Sequence, residues 1–416
     1  MVDRDPDVVV IGGGPSGSTC ATLLADQGYA VDLYERDHFP RFHIGESLIP
    51  QTYHVLKRTG MLDKMKGSHF IKKYSVQFVN PQGRLSEPFY FIDHKPHESS
   101  QTWQVRRSEF DKLNLDNARE HGVRVHEGVR VREVLFDGPR ATGVRITTAE
   151  GADRVVPANV VVDAAGQSSM LIDRFGLRQW DDDLKKAAVW TYWKGAYRDA
   201  GRDEGATIVI QTEGKKGWFW YIPLHDDVVS VGVVADYDYL FTGRASKDLE
   251  TIYFEEVAKA PGVQPRIKDA TRCDVFRAQK EYSYRASRVG GDGWVLVGDA
   301  FGFLDPLYSS GVLLALTSGS MAADAIDEAL RRGDTSERQL RAWEPEFMAG
   351  MERMRKLVLE FYQGLSFGRF VRKHPDLKDL VTDVLIGDVF KPEIDVLWPL
   401  TKAIREEQRQ AGVPTA

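Results

Sequence analysis

The chain has 416 residues, 42% of them hydrophobic and 28% charged, with a formal net charge of −6. This is the profile of a soluble globular enzyme large enough for several structural units, and its acidic balance argues against a nucleic-acid partner. No apolar run nears the length of a membrane span. Asp3, Arg4 and Asp5 stand where a signal peptide needs apolar residues, so a cytoplasmic protein is expected. Cys20 and Cys273 are too few and too far apart for a disulfide framework or a metal site. The histidines form no His-Glu-x-x-His motif, and no metal is expected.

Asp7–Ile11 reads as a buried strand, Gly12–Gly17 as a turn, Ser16–Gln27 as a helix closed by Gly28, and Ala30–Tyr34 as a second strand. After a loop and helix over Arg41–Leu56, Tyr74–Val79 and Phe89–Ile92 alternate like strands. Glu109–His121 is helical, and Val123–Val125 is a strand. Val129–Val134 and Gly143–Thr148 form a hairpin around Gly138-Pro139, and Val160–Val162 is an apolar strand. The pattern is then mainly β: Val189–Trp193, Thr207–Gln211, Trp218–Ile222 and Val228–Val233. Gly293–Val297 is a buried strand, Val312–Ala329 a helix, and Ser336–Lys356 a charged helical region with Ser336 and Gln339 spaced as a capping box. Met348, Met351 and Met354 recur at helical spacing, as core residues do. The expected class is mixed α/β. A Rossmann-like nucleotide domain over 1–75, 100–175 and 275–330 is interrupted by a β-rich substrate domain over 76–99 and 176–274. A helical region over 331–416 follows.

Gly12-Gly13-Gly14-Pro15-Ser16-Gly17 is a Gly-x-Gly-x-x-Gly turn directly after a strand. Gly12 permits the tight turn, Gly14 lets the backbone approach a pyrophosphate, and Gly17 lets helix and strand pack closely. Pro15 and Ser16 open the helix whose N-terminus attracts phosphate. Glu35, followed by Arg36, ends the second strand, where a ribose hydroxyl acceptor belongs. NAD and FAD both fit this much. Gly298-Asp299, at the end of a second buried strand, resembles the FAD enzymes of the aromatic-hydroxylase type, in which such an aspartate contacts the ribityl chain. Arg106 or Arg107, ahead of Phe110-Asp111, resembles the same family's Arg-x-x-Phe-Asp helix start, and Arg106 is taken as the residue near the cofactor.

Trp218-x-Trp220-x-Ile222-Pro223 places two indoles on one face of a strand that Pro223 ends or edges. By itself this is sheet core. Taken with Gly45-Glu46-Ser47-Leu48-Ile49-Pro50, with Asp305-Pro306-Leu307-Tyr308-Ser309-Ser310-Gly311-Val312 and with Lys73, it resembles the flavin-dependent halogenases. Lys73 has a neighbouring rival in Lys72; the family's Lys-x-x-x-x-Phe spacing, counted back from Phe78, selects Lys73. The resemblance covers roughly the first 330 residues.

It implies reduced FAD as cofactor and chloride or bromide as co-substrate. Trp218 and Trp220 become a wall that keeps substrate from the flavin, with Lys73 as the relay beyond it. Ser47, Pro306, Gly311 and Val312 then bind the flavin, Ser309 joins Lys73, Trp218 and Trp220 as a catalytic residue, and the N–H groups of Ser310 and Gly311 hold the halide. With one nucleotide fingerprint in the chain, a separate flavin reductase is the expected partner. The tryptophan-halogenating branch carries glutamate where this chain has Tyr308. An electron-rich phenol, pyrrole or aliphatic substrate, free or tethered to a carrier protein, is therefore expected over free tryptophan. The rival readings are a geranylgeranyl-reductase-like oxidoreductase and an aromatic hydroxylase.

Overall fold

The computed structural model describes residues 4–148, 151–280, 283–365 and 367–410. Among them, a six-stranded sheet runs in the order Gly290–Gly291, Trp294–Leu296, Val160–Asp163, Val8–Ile11, Val31–Glu35, Arg124–Glu127. All neighbours are parallel except the first pair. Val8, Val9 and Val10 are fully buried, which is why the strand reads as an unbroken apolar run: the parallel sheet packs against helices and against a separate three-stranded sheet that shares its core. The helix Pro15–Asp26 packs against the helices Ser310–Arg332 and Arg107–Glu120. The architecture is mixed α/β.

An eight-stranded sheet stands beside it, centred on Lys186–Lys194, Val228–Asp236, Gly217–Leu224 and Thr207–Gln211, with Ser75–Val79 parallel to the last. The period-two alternation of Gly217–Leu224 divides its side chains between two cores. Trp218, Trp220 and Ile222 face the large core that reaches the nucleotide sheet; Phe219 and Tyr221 face a smaller one with Tyr253 and Val233. Pro223 does not end this strand. Pairing with Thr207–Gln211 stops at Tyr221, so Pro223 lies where one flank has lost its partner, as a residue without an N–H requires.

Several local expectations are corrected. The helix expected from Val312 begins at Ser310. Ser336 precedes the short helix Glu337–Leu340 without a side-chain cap bond, and the charged region restarts as a second helix, Glu344–Tyr362. Phe89–Tyr90 is a two-residue strand that turns into a 3₁₀ segment. Asp153–Pro157 adds a third strand to the Arg130–Thr147 hairpin. Met351 and Met354 are buried, with Met348 packed against the same core. No helix among the described residues is long and apolar enough to cross a membrane.

Candidate active site

The glycine turn is built as its chemistry demands. Gly12 has φ of 103°, and a Cβ there would lie 2.5 Å from the Ala164 carbonyl oxygen. A Cβ on Gly17 would lie 2.1 Å from the Gly12 oxygen, so this glycine serves helix–strand contact and does not line the cleft. Gly13 N–H donates to Glu35 Oε2 at 2.8 Å, and Asp37 N–H donates to Oε1 at 3.0 Å, which fixes the carboxylate at the strand end. From here a cavity of about 700 Å³ extends to the start of the helix Ser310–Arg332. Gly12, Gly14, Pro15, Ser16, Glu35, Arg36, Ser47, Trp218, Trp220, Asp299, Pro306, Ser309, Gly311 and Val312 all line it. A cradle closed to any side chain at Gly12, an acid fixed at Glu35 and a long cleft between them and a helix N-terminus fit a dinucleotide.

Arg106 does not line the cleft; Arg107 does. Arg106 is the extended residue preceding the helix Arg107–Glu120, and its guanidinium turns to the His225 carbonyl and to Asp226. Arg107 donates to the Ile44 carbonyl at 2.7 Å and to both oxygens of Asp111, at 2.8 and 3.0 Å. It therefore ties the Gly45–Pro50 loop to the helix. Burial pushes the Asp111 carboxyl up, but the charge and hydrogen bonds of Arg107, with Arg41, more than reverse this and hold it below the usual range. Burial raises Asp299 to about 6, with Arg107 opposing.

Ser309 adopts a left-handed φ of 57° just before the helix, a conformation that costs a serine about 1 kcal/mol or more. It presents Ser309 and Gly311 to the cavity, where the partial positive charge of a 23-residue helix is greatest. Ser310 is buried beside the cavity and does not line it.

The two indoles are held in place. Trp218 Nε1 donates to Tyr362 Oη at 3.0 Å, and that hydroxyl donates to Asp305 at 3.1 Å. Trp220 Nε1 donates to Ser230 Oγ at 3.0 Å. Trp190 joins them, its ring centre 6.0 Å from that of Trp220. Burial raises Asp305 to about 7, hydrogen bonds from Leu307 N–H and Tyr362 opposing. Tyr308 is buried, and its hydroxyl has no hydrogen-bond partner among the described residues.

Lys73 lies on the far side of Ser47 from the cavity. In the strand Ile71–Lys73 the alternation exposes Lys72 and buries Lys73. Lys73 is 2% exposed, and its Nζ donates to Ser47 Oγ at 2.8 Å and to the Leu48 carbonyl at 3.0 Å. Burial alone lowers its pKa to about 7, with no carboxylate among the described residues to restore the charge. Ser47 Oγ and Thr207 Oγ1 share a hydrogen bond at 2.9 Å, and Gln104 Nε2 donates to Thr207 Oγ1 at 2.8 Å. Ser47 and Thr207 line the cavity, so a chain of hydroxyls joins it to the amine.

Glu46, in the Gly45–Pro50 loop, is with Asp299 one of two strongly perturbed carboxylates on the cavity wall. It is 3% exposed, accepts from Tyr192 Oη at 2.8 Å, has no partner for Oε2 among the described residues, and is raised by burial to about 7. An acid flanked by Gly45 and Ser47 in an apolar loop was the available signal.

The profile of the tryptophan halogenase family matches residues 7–103 and 93–366. The chain belongs to this family of flavin-dependent halogenases. The halogenase is 33% identical to the flavin-dependent halogenase armH2 of Armillaria mellea, over 99% of this chain and 85% of that protein. It is 32% identical to the 1H-pyrrole-2-carbonyl-[peptidyl-carrier protein] brominase of Pseudoalteromonas luteoviolacea, over 93% of both chains. The structure of the flavin-dependent brominase Bmp2 superimposes with a TM-score of 0.84 at 29% identity, covering 98% of this chain and 99% of that one. The halogenase is thus an FAD-dependent oxidoreductase that takes a halide as co-substrate.

Proposed function

We propose that this halogenase uses reduced FAD, oxygen and chloride or bromide to make hypohalous acid, which Lys73 relays to an electron-rich substrate presented on a carrier protein. Bound FAD supplies the oxygen-activating chemistry. The observation that carries the reading is the position of Lys73: buried, without a counter-charge, and one hydroxyl away from the cavity. An amine lowered to about 7 is substantially neutral at physiological pH, so it can hydrogen-bond hypohalous acid or take up the halogen as a haloamine. Gly12, Gly14, Pro15, Ser16, Glu35, Arg36, Asp299, Pro306 and Val312 bind the cofactor along the cavity, with Gly17 supporting the turn. Ser309 and the backbone N–H of Gly311 hold the halide at the helix N-terminus, Ser310 standing behind them outside the cavity lining.

Trp218 and Trp220 fill the face through which an organic substrate would otherwise reach the flavin, and Ser47 joins the two compartments. The wall excludes substrate and limits water, so the oxidant meets halide first. Arg107 takes the place assigned above to Arg106, organising the cofactor loop from its buried pair with Asp111. Support for the carrier-tethered substrate comes from the similarity to the pyrrole-carrier brominase and from Tyr308, which stands where the tryptophan-halogenating branch has glutamate. A separate reductase supplies the reduced flavin, consistent with one dinucleotide fingerprint.

The test is turnover with a flavin reductase, NADH, oxygen and bromide, offered pyrrolyl-loaded carrier protein, free pyrrole-2-carboxylate, free phenols and tryptophan. Bromination of the loaded carrier well above the free acids supports the reading. Preferential bromination of tryptophan overturns the substrate class, and oxygenation without halide incorporation overturns the reaction.

A further inference from the structure

Outside the flavin cavity, the fold gathers three side chains that are far apart in sequence. His69 lies just before the Lys73 strand, Glu109 is in the first turns of the Arg107–Glu120 helix, and His225 directly follows the Gly217–Leu224 strand. One nitrogen of each imidazole and the carboxylate all lie within 4.8 Å of one another. His69 Nε2 is 2.8 Å from Glu109 Oε2, and His225 Nε2 is 3.0 Å from Glu109 Oε1. The imidazole rings meet edge to face at 4.4 Å. His225 is almost fully enclosed, whereas His69 is open to solvent and Glu109 intermediate, so the cluster is anchored at one end and accessible at the other. His225 Nδ1 is buried and has no hydrogen-bond partner among the described residues, so the carboxylate contact of this ring runs through Nε2 alone.

We propose that His69, Glu109 and His225 form a binding site for a divalent transition metal of the zinc class. Two imidazole nitrogens and one carboxylate oxygen are a borderline donor set that suits Zn²⁺ over Mg²⁺ or Ca²⁺, with solvent completing the shell. The geometry needs little change. Ligands about 2.1 Å from a tetrahedral ion stand roughly 3.4 Å apart, and the present spacing reaches that with small side-chain movements. Both Nε2 atoms aim at one carboxylate, so an ion at the shared point replaces two imidazole–carboxylate hydrogen bonds with three metal bonds.

Two neighbours set the strength. Asp226 Oδ2 lies 3.7 Å from His225 Nε2 and is paired with Arg106 at 3.5 Å, while Arg106 is also 3.9 Å from Glu109. That guanidinium opposes a second cation, and binding in the micromolar range is expected. The ion would clamp together the segments carrying Lys73, Arg107 and the tryptophans. The site stands whether or not Lys73 is the relay.

Chelator-treated, untagged full-length protein titrated calorimetrically with Zn²⁺ gives one equivalent of micromolar binding and a raised thermal midpoint. His69→Ala and His225→Ala each weaken binding at least tenfold, and the midpoint shift disappears in the double variant. Crystals soaked in Zn²⁺ show an anomalous peak between the three side chains, a readout that does not depend on how the variants fold. No stoichiometric binding to the wild type, unchanged affinity in both variants, or an anomalous peak only elsewhere overturns the proposal.

Discussion

Lys73→Met removes the amine while keeping an unbranched apolar side chain in the same space, and it separates stability from function. The wild-type ammonium is destabilised by burial: its pKa falls from 10.5 to about 7. The unfolded chain therefore binds more protons between these values, and stability rises with pH across the window from about 7 to 10.5. At pH 7, linkage gives a cost of about 4 kcal/mol relative to the fully neutral amine. Methionine removes that cost but leaves Ser47 Oγ and the Leu48 carbonyl without their donor, returning about 1 kcal/mol for each. The variant should be about 2 kcal/mol more stable than wild type at pH 7, with the difference shrinking toward pH 10, and should not halogenate. Urea unfolding at several pH values measures the first, and mass spectrometry of product the second. A variant less stable at pH 7 than wild type, or one whose advantage grows with pH, refutes the burial argument.

Glu46 has the opposite sign. Its folded pKa, raised from 4.5 to about 7, gives stability that is full below 4.5 and lost as pH rises through 7. Glu46→Gln should gain about 3 kcal/mol on wild type between pH 5 and pH 8, read by paired urea titrations. Arg107→Ala strips the buried Asp111 of its two closest hydrogen bonds and leaves it with Arg41 alone. With Arg41 still in place the cost should fall at about 3 kcal/mol, the low end for a broken buried pair, with release of FAD, whereas Arg106→Ala retains FAD with near-wild-type affinity by fluorescence titration. Gly12→Ala forces a Cβ to 2.5 Å from the Ala164 oxygen at a left-handed φ, and FAD absorbance should be absent from whatever purified protein folds.

What the sequence reveals and what it hides follow from range. The glycine turn, the buried valine strand and the Trp218–Ile222 alternation are local periodicities, and the fold preserves them. The choice between Arg106 and Arg107 depends on which residue precedes the helix, one position that pattern does not resolve. Glu46 takes its character from burial by segments distant in sequence, Tyr192 being 146 residues away, and the His69–Glu109–His225 cluster joins three segments with no common motif. The strand Asp153–Pro157 carries no sequence signal: four of its five residues are exposed, so it lacks apolar alternation. Lys73 was selected by a family spacing; the strand shows the physical reason, since alternation turns Lys72 to solvent and Lys73 inward.

The central claim is that Lys73 acts after the oxidant is made and across Ser47 from the flavin cavity. A single-turnover measurement tests it most directly: pre-reduced, FAD-loaded wild type and Lys73→Ala are mixed with oxygen, bromide and substrate, following flavin reoxidation and brominated product together. Lys73→Ala should reoxidise flavin within about twofold of wild type and lose product at least about a hundredfold. Brominated product at the wild-type yield in Lys73→Ala contradicts it.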